Sequence, residues 1–314
     1  MSRPVTRQIS LAQARRWFAE ELRVTSPVRR NEAVVDAFAA VPRERFLGPG
    51  PWRLIPFTRI DDPYLTPDDD PAWIYHDVLV SIDPKRGLNN GQPSLWARLF
   101  DQLDLEPGER VLQVGAGTGY YTAILAEMVG AQGKVIAVEH DRDLAERAED
   151  NLSPWPQVEV VNGDGTTHDP GRVDVIVAFA GATHPAPMWL ERLKPGGRLM
   201  MPLTGGNRWG FFLKATRKGK SFRATSLGRC GFFHCIGGRD DKAAARLEKA
   251  VTALKGQPVP ITDLYTGKPP AARKREVWYA GPGFWLGASK EPSRSARPSS
   301  RATPARRRSA KAGP

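Results

Sequence analysis

One stretch constrains this chain more than any other: VLQVGAGTGYYTAILAE, from Val111 to Glu127. An apolar run of strand character ends on Gly115; Gly117 and Gly119 follow, and then an apolar-periodic segment of helical character begins. Glycines allow the positive φ angles of a tight strand-to-helix turn, and they let a ligand approach the helix N-terminus closely. Further runs, KVIAVE, VEVVNGD, VDVIVAFA and GRLMMPL, alternate with helical segments after residue 110. That alternation predicts an α/β fold, a doubly wound and mostly parallel sheet with crossover helices. Such a sheet binds ligands beyond the carboxyl ends of its strands.

The spacing narrows the ligand. Gly115, Gly117 and Gly119 spell G-x-G-x-G, whereas the dinucleotide fingerprint needs G-x-G-x-x-G and would put its last glycine at Tyr120. A tyrosine there obstructs the close helix–strand packing of that motif, which disfavours NAD. A tight turn without a ligand is the alternative reading of the glycines alone. Glu139 ends the second strand, where a carboxylate can accept both ribose hydroxyls of an adenosine. Asp164 ends the third strand between Gly163 and Gly165, where it can accept from an adenine amino group. Together these points suggest S-adenosyl-L-methionine. The chain has no G-x-x-x-x-G-K-[ST], which argues against a triphosphate.

The flanks are less regular. Ser10 to Leu22 reads as a helix with a Ser10/Gln13 capping box, and Glu32 to Val41 as a second one stopped by Pro42. Gly48 to Pro71 has no clear periodicity, Trp73 to Ile82 looks extended, Gly87 to Pro93 must be a loop, and Ser94 to Leu103 resumes a helix. WGFFLKATRK and FRATSLGRCGFFHC look like paired antiparallel strands, and Asp241 to Leu254 like a helix. Pro258 to Trp285 is poorly periodic, its aromatics packing on the body. Of the formal charge of +12, residues 288–314 carry +7, with eight Lys or Arg against one Glu and almost no large apolar groups. Such a tail is expected to be disordered, because it cannot offset its ordering entropy. Cys230 and Cys235 read as reduced thiols rather than a metal site, since no second Cys/His pair with zinc spacing accompanies them. There is no apolar signal region and no run long enough to span a membrane, so a cytoplasmic protein is expected.

Val111 to Leu203 resembles the protein-L-isoaspartate O-methyltransferases, through VLQVGAGTGYYTAILAE, VEHDRDLAERAEDNL, GDG, VDVIVAFAGATHPAP and LKPGGRLMMPL. AFAAVPRERFL and IYHD extend the likeness upstream. The resemblance implies a Rossmann-like class I methyltransferase with a helical N-terminal subdomain and antiparallel C-terminal strands. It implies that Gly115, Ala116, Gly117, Thr118 and Gly119 wrap the methionine end of the cofactor. Glu139, with His140 beside it, would hold the ribose, and Asp164 with Gly163 and Gly165 the adenine. The expected divisions are 8–109 for the helical and acceptor-loop region, 110–215 for the cofactor core, 216–287 for the C-terminal strands and helix, and 288–314 for the basic tail.

The resemblance also implies a carboxylate acceptor in a protein or peptide, methylated to repair isoaspartate or to modify an aspartate for another purpose. Such a carboxylate is already ionised at neutral pH, so alignment and water exclusion matter more than an acid or base. The family's acceptor loop reads G-x-T-[IV]-S-x-P, and its serine hydroxyl faces that carboxylate. Here the loop is Gly87-Leu88-Asn89-Asn90-Gly91-Gln92-Pro93, with Gly91 at the serine position. Three readings stay open: amides of Asn89, Asn90 or Gln92, or the Ser94 hydroxyl, recognise the carboxylate; the pocket serves another acceptor; or the loop is a turn without a catalytic role. Asp77 is expected to orient this loop, His76 to be structural, and His184 to contact substrate or to serve its own loop. Alternatives to protein carboxylate methylation are nucleic-acid methylation, with the tail on phosphates, and an inactive cofactor-binding adaptor.

Overall fold

The computed structural model describes residues 9–56 and 61–288. The basic tail, and with it the expected disorder, lies outside these. Helix α1 (Leu11–Thr25) starts at the Ser10/Gln13 capping box and runs beyond the predicted Leu22. It buries Phe18, Ala19 and Leu22, whereas Trp17 beside the stripe is exposed. Helix α2 (Ala33–Ala40) ends at Val41, before Pro42. The aperiodic passage contains strands β1 (Arg53–Ile55) and β2 (Tyr64–Leu65), which the sequence reading missed. With β3 (Leu79–Asp83) and β4 (Leu88–Asn89) they form a small antiparallel sheet of order β2-β1-β3-β4. Gly87 to Pro93 is thus partly strand, because Leu88 and Asn89 pair with Asp83 and Ser81. Trp73 to Ile82 is extended only in its second half, Pro71–Ile74 being a 3-10 turn. Helix α3 (Pro93–Leu103) follows, with its proline in the first turn, where no N–H is needed.

The core alternates as predicted: β5 (Arg110–Val114), α4 (Tyr120–Val129), β6 (Lys134–Glu139), α5 (Arg142–Leu152), β7 (Val158–Asn162), β8 (Val173–Ala178), α6 (Pro187–Arg192) and β9 (Leu193–Thr204). Strands β10 (Trp209–Lys218) and β11 (Ser221–Gly231) form the predicted antiparallel pair, and α7 (Asp241–Ala253) follows. The stretch without periodicity contains β12 (Ile261–Thr266), β13 (Val277–Gly281) and β14 (Phe284–Ala288). All ten strands from β5 onward join in one sheet, ordered β13-β14-β12-β11-β10-β9-β8-β5-β6-β7. The segment β7-β6-β5-β8-β9 is parallel, and the chain reverses direction of winding at β5.

Burial alternates even within the continuous apolar runs. Val111, Val135, Val175, Val177 and Met200 face α1 to α4, whereas Leu112, Val114, Ile136, Ile176 and Met201 face α6 and α7. Helix α4 is buried almost all round, with only Glu127 of its ten residues exposed, as a helix between the sheet and α2 must be. The ring of Tyr120 points away from the sheet into Phe38 and Phe46. Among the described residues, no helix is long and apolar enough to cross a membrane.

Candidate functional site

The carboxyl ends of β5, β6 and β7 bring the glycine turn and two acids to the switch point of the sheet. Gly115, Gly117 and Gly119 have φ of +87°, +57° and +96°. At Gly119 a Cβ would meet Leu152 Cδ1 at 2.8 Å, while at Gly117 it would meet nothing within 4 Å. The first glycine requirement is packing; the second is conformational and leaves a concave backbone. Gly117 N–H donates to Glu139 Oε2 at 2.8 Å, and Asp141 N–H to Oε1 at 3.0 Å. Glu139 is 9% exposed. Each of its oxygens keeps one lone-pair direction for a further donor. Ala116 and Thr118 are buried, and the Thr118 carbonyl accepts from Asn151 Nδ2 at 2.9 Å. The His140 side chain is exposed; its backbone carbonyl accepts from Asn162 Nδ2 at 3.2 Å.

Asp164 Oδ1 accepts from Thr166 N–H at 2.8 Å and from the Thr166 hydroxyl at 2.7 Å. Gly165 lets this loop press onto β5, since a Cβ there would lie 2.5 Å from Val114 Cγ1. Its carbonyl accepts from the Trp189 indole N–H at 2.8 Å. Gly163 has open space where a side chain would stand.

The sequence reading missed what covers Asp164. Past β11, residues 232–240 run beside the loop that follows β8: Gly181 N–H donates to the Phe233 carbonyl at 2.7 Å, Cys235 N–H to that of Gly181 at 3.0 Å, and Thr183 N–H to that of Gly238 at 2.9 Å. The Arg239 guanidinium fastens this seam to the carbonyls of Gly181, Thr204 and Gly205. Gly237, at φ +77°, lies against the acid; a Cβ there would be 2.3 Å from Asp164 Oδ2. Burial, with Asp164 nearby, pushes the Cys235 thiol up to about 11. The paired glycines of CIGGRD were the available signal. His184 is half-buried in the same loop, its Nδ1 2.8 Å from the Thr183 hydroxyl, and burial holds its imidazole below the ordinary range.

The acceptor-loop residues lie together at the end of the β3–β4 hairpin. Asn90 continues the ladder with Val80: its N–H donates to the Val80 carbonyl at 3.0 Å, and its Oδ1 accepts from Val80 N–H at 2.8 Å. Arg43, fully buried, donates to the carbonyls of Ile74, His76 and Val78 and reaches Asn90 Oδ1 at 3.5 Å. Asn89 Oδ1 accepts from Gly91 N–H at 3.0 Å. Gln92 Nε2 donates to Asp77 Oδ2 at 3.2 Å and to the Ser94 hydroxyl at 3.0 Å. Asp77 also accepts from Ser94 N–H at 2.8 Å, so it ties the loop to the start of α3. The His76 side chain is at the surface. Gly91 has φ +79°, and a Cβ there would meet Trp96 Nε1 at 3.0 Å and Tyr121 Cε2 at 3.2 Å. Two aromatic side chains crowd the point from which the family's serine would project.

Those aromatics join this loop to the glycine turn. Trp96 stacks on Phe179, the first residue past β8, and Phe179 Cβ lies 3.5 Å from where a Cβ of Gly115 would be. Tyr121 donates its hydroxyl to the Gly91 carbonyl at 3.0 Å.

This arrangement has known counterparts. Residues 18–239 match the family model described as Protein-L-isoaspartate(D-aspartate) O-methyltransferase. A protein-L-isoaspartate O-methyltransferase of Methanopyrus kandleri is 32% identical over 230 residues, covering 72% of this chain and 92% of the relative. One of Aeropyrum pernix is 36% identical over 197 residues, covering 61% of this chain and 67% of the relative. A solved protein-L-isoaspartate O-methyltransferase shares the fold at TM-score 0.58 and 24% identity, over 79% of this chain and 73% of that one. A Plasmodium falciparum structure assigned to the same enzyme class, in complex with S-adenosyl-L-homocysteine, aligns at TM-score 0.56 and 18% identity over 70% of this chain and 97% of that one. The chain belongs to the protein-L-isoaspartate(D-aspartate) O-methyltransferase family.

Proposed function

We propose that this protein is an S-adenosylmethionine-dependent O-methyltransferase that esterifies the carboxylate of isoaspartyl residues in proteins. The observation that carries this reading is the meeting of the glycine turn with Glu139, with Asp164 just past the end of the next strand and the acceptor loop behind through Phe179 and Trp96. The donor set fits the cofactor: a concave glycine backbone for the amino-acid end, spare carboxylate lone pairs on Glu139 for ribose hydroxyls, and Asp164 for the adenine amino group. Gly115 to Gly119, with Ala116 and Thr118 between the glycines, would cradle the methionine end, while His140, Gly163 and Gly165 border the nucleoside.

When bound, S-adenosylmethionine supplies an electrophilic methyl: a carboxylate oxygen bonds to the methyl carbon as the carbon–sulfur bond breaks, and the electron pair stays on sulfur. No proton is transferred, so the site needs no general base. What the protein contributes is position and exclusion of water, which in well-aligned reactions are worth several kcal/mol and up to about 7–11. Asn89, Asn90, Gly91 and Gln92 border the acceptor and set its approach. Two buried free thiols suit a reducing, cytoplasmic setting.

Labelled S-adenosylmethionine with an isoaspartyl peptide and its aspartyl twin tests the reading. Base-labile label on the isoaspartyl peptide alone is the expected result. Equal labelling of both, or none on either with cofactor binding confirmed separately, overturns it and turns attention to another acceptor.

A further inference from the structure

The acceptor loop has Gly91 at the family's serine position, so no side chain projects from that point. Gln92 Nε2 donates to Asp77 and Ser94, whereas Asn89 and Asn90 accept Gly91 and Val80 N–H through Oδ1 and keep their Nδ2 donors. The Tyr121 hydroxyl is spent on the Gly91 carbonyl. Asn90 Nδ2 is unpaired but sealed inside the protein. A donor of a different kind stands at the gap. Trp96 is 1% exposed, and its Nε1 lies 3.0 Å from the point where a Cβ of residue 91 would be. Among the described residues this N–H has no hydrogen-bond acceptor.

The indole is fixed. Its face lies on Phe179, with ring centroids 3.5 Å apart and planes 13° from parallel. Phe212 and Phe232 meet it edge-on at 5.9 and 6.0 Å. Phe179 N–H donates to the Val114 carbonyl at the end of β5, just before the glycine turn, so the indole lies between the acceptor loop and the carboxyl edge of the sheet.

We propose that Trp96 Nε1–H is the acceptor-binding donor of this enzyme, occupying the place of the absent serine hydroxyl. It holds one oxygen of the isoaspartyl carboxylate while the other attacks the methyl carbon. The inference rests on the isoaspartyl reading above. An indole N–H only donates, so it selects a carboxylate over an amine or an ammonium and keeps its proton throughout. A carboxylate loses its charge on becoming an ester. A hydrogen bond to it is therefore stronger in the ground state than in the transition state, and its loss falls on KM rather than kcat.

The test uses the full chain, S-adenosylmethionine and a synthetic isoaspartyl peptide, comparing wild type with Trp96→Phe, which keeps a ring on Phe179 and removes the donor. KM for the peptide should rise about tenfold or more, as expected for a lost hydrogen bond to a charged group. kcat should change less than about threefold, and affinity for S-adenosyl-L-homocysteine should be unaltered. Wild-type kinetics in a folded variant, or a fall in kcat at unchanged KM, overturns the proposal. A second measurement does not depend on the variant's activity. In wild type labelled with 15N-tryptophan, one of the nine indole resonances should move downfield when isoaspartyl peptide joins the S-adenosyl-L-homocysteine complex, and that resonance should be missing from the Trp96→Phe spectrum. Peptide binding that leaves it in place overturns the assignment of Trp96. A wild type that binds cofactor but leaves the isoaspartyl peptide unmethylated is a different outcome: it removes the isoaspartyl reading, and this inference with it.

Discussion

The indole of Trp96 lies flat against the ring of Phe179, and through that stack a loop at residue 91 is tied to a turn at residue 115. The two regions come from different parts of the fold. Gly91 follows the small antiparallel sheet, Gly115 the central parallel strand. A rigid aromatic pair between them fixes the separation of the two regions more tightly than either loop alone can.

Restoring the family's serine should therefore fail. Gly91→Ser places a side chain at φ +79°, 3.0 Å from Trp96 Nε1 and 3.2 Å from Tyr121. Stability should fall by about 1–3 kcal/mol, as for a residue held in a sparsely populated backbone region, and kcat/KM should not rise. Denaturant unfolding beside peptide kinetics checks both.

Gly237→Ala should damage cofactor binding from outside the glycine turn. Its methyl would need the space of Asp164 Oδ2, 2.3 Å away, and the residue sits at φ +77°. Either the acid or the covering segment must move. Calorimetry with S-adenosyl-L-homocysteine should show affinity at least about tenfold weaker, the cost of one displaced charged hydrogen-bond acceptor. Asp164→Ala should weaken it by a similar amount; unchanged affinity in both removes Asp164 from the adenine site.

Arg43→Met should be costly although, among the described residues, no carboxylate pairs with Arg43. Its guanidinium serves three carbonyls and lies between the rings of Phe18 and Tyr120, 5.6 and 5.8 Å from their centroids. Methionine fills the volume but leaves the carbonyls unpaired, at a cost on the order of 3 kcal/mol. Arg43→Lys should recover little, because an ammonium cannot reproduce the planar fork. Chemical denaturation of the three proteins tests this.

Acid should loosen the seam over Asp164 through His184. Burial lowers its folded pKa below the ordinary 6.5, so the unfolded chain takes up the proton first as pH falls. The stability contribution is present above about 6.5 and is lost as pH drops through the folded pKa. His234 is lowered by burial as well and adds in the same direction. Thermal melts from pH 7.5 to 5 should fall less steeply for His184→Gln than for wild type; parallel curves would assign the acid sensitivity elsewhere.

The cofactor half was legible because β5, β6 and β8 are buried on both faces and read as nearly unbroken apolar runs. VDVIVAFA and KVIAVE can hardly be anything else. Strands β12 to β14 were not legible. They are antiparallel, interrupted by Gly267, Gly281 and Gly283, and depend on contacts such as Tyr265 stacked on Trp285 at 4.1 Å, which no periodicity announces. Asn89, Asn90, Gly91 and Gln92 were read as loop, but Asn89 belongs to a strand, and their hydrogen bonds run to distant partners: Asn90 to Val80 and Gln92 to Asp77. Trp96 was not singled out within the helix read from Ser94 to Leu103, and only the fold places its Nε1 beside Gly91.

The seam formed by residues 232–240 also has a meaning in time. Ribosomes make Gly117, Glu139 and Asp164 well before they make Gly237. The wall over Asp164 can therefore exist only once residues 232–240 have been made and Arg239 can reach the carbonyls of Gly181 and Thr204. Completion of the site is a late event of biosynthesis, set by the position of one glycine-rich segment in the chain.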